Sequence, residues 1–268
     1  MISTFALHPA ASKALIAKAV LKLPLFARAY AKGRIFFGRG SGNAAILKQL
    51  LGEDAPPPVN YVSGMIAQNS PCSASGSNWT PSVCLFKGER WYGEDLDFLR
   101  QFEPGDVFIK GANAIDPEGR VGILIGHPEG GGIGLPYGIL KAQGIPIICP
   151  VGLEKLIPSC PAAAKGMGIL NAGPRLGMRL GYIVLDDVLA VTEIESIRLL
   201  YGLDATMIAG GGIGGMEGAV MLSVESDDEA LLTRMVRDMK ALNRTPASKL
   251  KKKACAECVN PCIMMTKQ

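Results

Sequence analysis

Arg34-Ile-Phe-Phe-Gly38, continued by Arg39-Gly-Ser-Gly42 and then by the helix-forming run 43–51, decides how this chain is read. Three consecutive apolar residues without polar alternation mark a short strand buried on both faces. A loop with glycine at 38, 40 and 42 follows, and Asn43 stands where a helix N-cap is favoured. In open α/β sheets, ligands bind beyond the carboxyl ends of strands. A glycine there lets main-chain N–H groups approach an anion, and the next helix adds positive potential at its N-terminus. The loop therefore nominates Arg39, Gly40, Ser41 and Gly42 as holders of a phosphate-like group.

Outward from this unit, short apolar runs alternate with helical periodicity. Helices are predicted over 9–22, 24–32, 92–102, 135–143 (opening at Pro136), 193–201 and 227–242. Strands are predicted over 61–67, 83–86, 107–110, 121–125, 145–150, 183–185 with 188–191, 205–209 and 219–224. Such alternation implies an α/β fold with a mostly parallel open sheet and helices on both faces. The expected organisation is an N-terminal helical segment (1–32), an α/β ligand-binding domain (33–242) and a basic, cysteine-containing tail (243–268).

Composition bounds the function. The 268 residues are 48% hydrophobic and 19% charged, so the chain has the apolar surface to build a core and lacks the composition of a disordered one. No run of 18 apolar residues occurs, which argues against a spanning helix. The net charge of +4 is modest and says little about partners; the glycine loops make a small anionic ligand the expected partner, and no nucleic acid is expected. Residues 1–52 hold eight Lys or Arg before the first acid at Glu53. That run passes through Arg34 and Arg39 into the first core strand, so it reads as part of the fold rather than as a targeting peptide. Seven scattered cysteines fit a reducing cytoplasm better than a disulfide scaffold.

Two further glycine-rich segments sit at strand ends, 126–134 and 210–218. With 38–42 they are expected to converge on one anion-binding crevice, Gly130 and Gly131 on one side and Gly211 and Gly212 on its floor. The run Gly210-Gly-Gly-Ile-Gly-Gly215 is not a dinucleotide fingerprint, because a strand rather than a helix follows it. A Gly-rich hairpin fits better. Lys110, Gly111 and Asn113 end the apolar run at 107–110 and complete the candidate ligand contacts. The chemistry-bearing candidates are Lys110, His127, Glu129 and Glu217. Imidazole titrates near neutrality, and Glu129 and Glu217 are the acids within the segments 126–134 and 210–218.

Ile35-Phe-Phe-Gly-Arg-Gly-Ser-Gly42 and Asp106-Val-Phe-Ile-Lys-Gly-Ala-Asn-Ala-Ile-Asp-Pro-Glu-Gly119 together resemble the ribose-5-phosphate isomerase and CoA-transferase-like superfamily. Similar segments occur in its initiation-factor-2B, methylthioribose-phosphate isomerase and lactate-utilisation (LUD) relatives. The resemblance covers about residues 33–225 and implies a phosphorylated sugar, a nucleotide or a CoA thioester as ligand, handled by proton or acyl transfer. The pattern departs where its acids belong, since Lys110 and Asn113 stand at that strand end. Loss of the acids leaves open a non-catalytic ligand sensor or regulatory subunit.

Cys255-Ala-Glu-Cys258-Val-Asn-Pro-Cys262 places three thiols within eight residues. Two thiolates at that first spacing grip one metal without strain, and a third approaches a tetrahedral set. Zinc or an iron–sulfur cluster on Cys255, Cys258 and Cys262 is the expectation, completed by a thiol such as Cys72, Cys149 or Cys160. It would make the chain an accessory of a redox pathway, with a redox partner protein. A homo-oligomer is the other macromolecular assembly left open.

Overall fold

The computed structural model describes residues 1–67, 69–74, 80–247, 250, 253–255 and 262. The chain opens with β1 (Ile2–Leu7), a strand within the stretch expected to be helical, and continues into α1 (Pro9–Val20) and α2 (Pro24–Lys32). His8 caps α1 by accepting from the Ala10 and Ala11 N–H groups, while its other ring nitrogen meets the Asn243 carbonyl at 3.1 Å. The deciding stretch forms β2 (Arg34–Phe37) and α3 (Ser41–Leu51). Next come β3 (Gly64–Ala67), β4 (Ser70–Ser73), β5 (Val83–Phe86), β6 (Glu89–Trp91) and α4 (Asp95–Arg100). The middle of the chain supplies β7 (Val107–Ile109), β8 (Ala114–Ile115), β9 (Val121–Ile125), α5 (Gly131–Gln143), β10 (Ile147–Pro150) and α6 (Cys160–Ala164). The last part holds β11 (Gly181–Leu185), β12 (Leu189–Val191), α7 (Glu193–Tyr201), β13 (Ala205–Gly211), β14 (Ala219–Glu225) and α8 (Glu229–Leu242).

The expected mostly parallel open sheet is corrected here. Among the described residues the strands fall into four sheets, and seven of ten pairings are antiparallel. The largest sheet is mixed, in the order β12-β10-β7-β2-β5-β6, and only its first four strands run parallel. Short connections are the physical reason for the four antiparallel pairings that join consecutive strands, β3–β4, β5–β6, β8–β9 and β13–β14, because a parallel neighbour needs a crossover and a tight turn permits only an antiparallel one. Lys87 and Gly88, both at positive φ (51° and 81°), form the two-residue turn between β5 and β6. Asp116 to Gly119 turn β8 into β9, with the Gly119 N–H donating to the Asp116 carbonyl at 2.9 Å. The glycines after β13 fold it back on β14 as a hairpin.

The two faces of β2 feed separate cores. Ile35 and Phe37 pack with Ile16, Phe26, Ile46 and Leu47 of the first three helices. Phe36 stacks on Phe108, their ring centroids 4.9 Å apart, in a cluster with Phe98, Ile123, Ile133 and Leu140. A third cluster joins α1, α7 and α8 to the sheet β1-β14-β13 through Leu7, Leu15, Ile197, Leu222 and Met235. Thus α1 borders both the mixed sheet, at β10 and β12, and the small antiparallel one, at β1 and β14. Among the described residues no helix is long and apolar enough to cross a membrane.

Candidate anion-binding site

Four parallel strands, β2, β7, β10 and β12, deliver their carboxyl ends to one edge of the mixed sheet. Asn43 locks the first two together. It is fully buried in the first turn of α3, and its Nδ2 donates to the Gly38 carbonyl at 2.6 Å and the Ile109 carbonyl at 2.9 Å. The Gly38 N–H donates to the same Ile109 carbonyl at 2.9 Å. Asn43 is therefore a clasp rather than the expected N-cap, and Gly40 takes the capping position with no side-chain hydrogen bond and no acid in the turn that follows. The leading N–H groups of α3 thus keep their positive potential.

Lys110, just past β7, lies across Gly38. A methyl group at that glycine would stand 2.8 Å from Lys110 Cδ, so the absent side chain is what admits the lysine. Lys110 Nζ donates to the Arg39 carbonyl at 3.3 Å. Gly42 and Gly111 both face the Pro150 carbonyl, at 3.6 and 3.7 Å from where their Cβ atoms would be. From beyond β10, Lys155 Nζ donates to the Ala112 carbonyl at 2.8 Å. Arg39, Gly42, Lys110, Gly111 and Lys155 accordingly gather at one sheet edge.

The electrostatics of this edge are unusual. Burial pushes the Lys110 ammonium below the ordinary lysine range, and nearby Lys155 and Arg39 push it further. Burial does the same to Lys155, with Lys13 of α1 adding to it against the opposing pull of Glu154, Glu193 and Cys149. Neither lysine makes an ion pair among the described residues. Cys149 lies between them in the core, and burial raises its thiol to about 12, so it is a core residue and not a nucleophile. Two desolvated cations whose hydrogen bonds run to backbone carbonyls leave local charge for an anion to neutralise.

Glu193, the first residue of α7, is fully buried and was not singled out from sequence. Its Oε2 accepts from the Leu153 N–H at 2.8 Å. Burial pushes its carboxyl up to about 7, with Glu154 adding to the rise and the Ser12 hydroxyl and Leu153 N–H opposing it. An acid in a first helical turn ordinarily reads as a surface residue complementing the helix dipole, which is why pattern alone does not flag it. Lys155 was legible in principle, since it closes the loop after the apolar run 145–150.

The other candidates lie elsewhere. His127 and Glu129 are exposed in the turn between β9 and α5, after the central strand of the sheet β11-β9-β8. His127 Nδ1 accepts from the Glu129 N–H at 3.2 Å, and the Gly130 N–H donates to the His127 carbonyl at 3.0 Å. Gly130 sits at φ 83°, where a Cβ would come 2.6 Å from Gly134 Cα, so the turn itself demands glycine, and Gly131 follows at φ 56°. Among the described residues no hydrogen bond or ion pair joins His127 or Glu129 to Arg39, Lys110 or Lys155. Asn113 is exposed and committed to β9, its Oδ1 accepting from the Leu124 N–H at 3.0 Å. Glu217 is exposed in the β13–β14 hairpin, where its own N–H and those of Gly215 and Gly214 hold its carboxyl below the ordinary range. Gly211 and Gly212 take φ of 113° and 126° at that hairpin. The hairpin's root approaches the turn after β10, since a Cβ on Gly218 would stand 3.9 Å from Glu154 Cβ. A shallow surface hollow, lined by Glu229, Ala230, Thr233, Arg234 and Arg237 on α8, contains none of these candidates.

The expected zinc or iron–sulfur site is also corrected. Among the described residues no three or more His, Cys, Asp or Glu side chains gather as a metal would require. Cys258 lies outside the described residues, and Cys149 and Cys160, two of the thiols that were to complete the site with Cys255 and Cys262, are fully buried. Burial raises both of their thiols, the opposite of what a thiolate ligand needs. Compared with models of known protein families and with curated proteins, the chain matches none.

Proposed function

We propose that this chain captures a small anionic molecule at the carboxyl ends of β2, β7 and β10. The ligand class is that of phosphorylated sugars, nucleotides and CoA thioesters. The observation that carries the reading is the pair Lys110 and Lys155, both desolvated and both hydrogen-bonded to main-chain carbonyls, beside a helix whose leading N–H groups have no side-chain cap. A dianion there would meet two ammonium groups and the N–H groups following Gly40, with Arg39 at the rim.

Binding without turnover, as in a sensor or regulatory subunit, is the second reading. It is favoured by the exposed, separate positions of Glu129 and Glu217, the two acids that proton or acyl transfer would use. Thermal unfolding with sulfate, phosphate, ribose 5-phosphate and coenzyme A tests the capture itself. A ligand at about 100 times its Kd adds about 2.7 kcal/mol, which raises the Tm by several degrees. Lys110→Met and Lys155→Met are each expected to abolish that rise. Removing a desolvated ammonium should also raise the Tm of the ligand-free protein at neutral pH. No rise with any of these anions, or an equal rise in both variants, would refute the reading.

A further inference from the structure

Behind Lys155 lies an arrangement the capture of an anion does not by itself require. Glu154 and Glu193 approach each other over Gly152, from the turn after β10 and from the start of α7. A Cβ on Gly152 would collide with Glu154 Oε2 and come within 3.0 Å of Glu193 Oε1. Both oxygens are buried and lack a hydrogen-bond partner among the described residues. The fully buried Ser12 of α1 faces the same Glu193 carboxyl, and its hydroxyl also lacks a well-formed hydrogen bond. Glu193 Oε2 is already satisfied by the Leu153 N–H, which leaves its second oxygen over Gly152, where Glu154 Oε2 also lies.

Two carboxylates confined in this way cannot both stay ionised at modest cost, and a proton between them supplies the missing donor. Resting on the crevice reading above, we infer that Glu193 holds a proton beside the Glu154 carboxylate and that the two act as a positioning pair for Lys155, coupling anion capture to proton uptake. The charged and titratable groups facing the pair are Lys155 beside Glu154, Lys13 with Ser12 on α1, and Cys149 on β10; Lys110 lies beyond Lys155. With one proton, the pair's single negative charge balances Lys155. When that proton leaves, a second buried negative charge appears behind the lysine and repels an anion in front of it. An anion on Lys155 therefore draws one proton from solvent onto the pair. The rise of the Glu193 carboxyl to about 7 puts this exchange near neutrality.

Sulfate, which stays a dianion across neutrality, is the probe, and calorimetry at about pH 6 and about pH 8 gives its Kd. Wild type is expected to bind about tenfold more weakly at the higher pH, the size of one extra charge at short range. Glu193→Gln should bind equally at both pH values, and Glu193→Asp, which retains a carboxyl, should restore the step. A step of unchanged size in Glu193→Gln overturns the inference. Carboxyl-carbon NMR of glutamate-labelled protein reads the pair without any ligand. One signal should titrate near neutrality, vanish in Glu193→Gln and move down in Glu154→Gln. If every glutamate titrates in the ordinary range while sulfate binds through Lys155, the pair fails and the crevice stands. If sulfate does not bind, the crevice reading falls and the coupling with it.

Discussion

The loop 38–42 and the segments 126–134 and 210–218 are equally rich in glycine, yet their glycines answer to different neighbours. At Gly38 the space a side chain would fill is taken by Lys110, and at Gly42 and Gly111 the facing group is the Pro150 carbonyl; all come from other strands. At Gly130 the obstructing atom is Gly134 Cα, and at Gly212 it is Met216, each within the same turn, although at the segments' ends Gly126 meets Met178 and Gly218 meets Pro9. The first kind of glycine lets separate strand ends close on one another. The second lets the chain reverse and says nothing about a ligand. Glycine content alone cannot separate the two; the identity of the blocking atom does.

Four changes probe this contrast, taken from the largest expected effect to the smallest. Glu193→Gln should alter stability most. A carboxyl raised in the folded state contributes stability that is complete below its unfolded value near 4.5 and is lost as pH climbs through about 7. The variant should therefore gain on wild type between about pH 5 and pH 8 by about 3 kcal/mol, measured by urea unfolding at each pH. A parallel pH dependence in the two proteins would place Glu193 outside the buried cluster. Asn43→Leu leaves the buried Gly38 carbonyl without its amide donor and should cost about 2–3 kcal/mol while also weakening sulfate binding, because it loosens the clasp under the loop. Gly130→Ala meets positive φ and a backbone atom, so a loss of about 2 kcal/mol is expected with sulfate affinity preserved. Sulfate weakened in step with stability there would erase the distinction between the two glycine classes. Glu129→Gln should leave stability and sulfate affinity within about twofold of wild type, as an exposed charge with no ion pair to the lysines would.

Much of the geometry at the carboxyl ends of the parallel strands was readable from sequence. The strand at 34–37, the glycine loop, Lys110 and Gly111 all follow from a buried apolar run ending in small residues. What escaped detection depends on distant packing. β1 pairs with β14 in register from Ile2↔Glu225 to Leu7↔Val220, a partnership that no local pattern announces. Lys155 and Glu193 look like ordinary polar residues until α1 and the ends of β10 and β12 close around them. The parallel sheet was over-read because strand–helix alternation conceals tight turns such as Lys87-Gly88 and Asp116-Pro-Glu-Gly119, which carry the β5–β6 and β8–β9 pairings. Cysteine spacing misled differently, since proximity in sequence offers thiols to a metal but does not bring up the remaining ligands.

Selenate is a sulfate mimic whose selenium is located directly by anomalous scattering, so a crystal of the native protein equilibrated with it answers where the anion goes. The account predicts a peak at the N-terminus of α3, within hydrogen-bonding reach of Lys110 or Lys155 Nζ. Peaks confined to Arg234 and Arg237 on α8, or to the turn at His127, would contradict it.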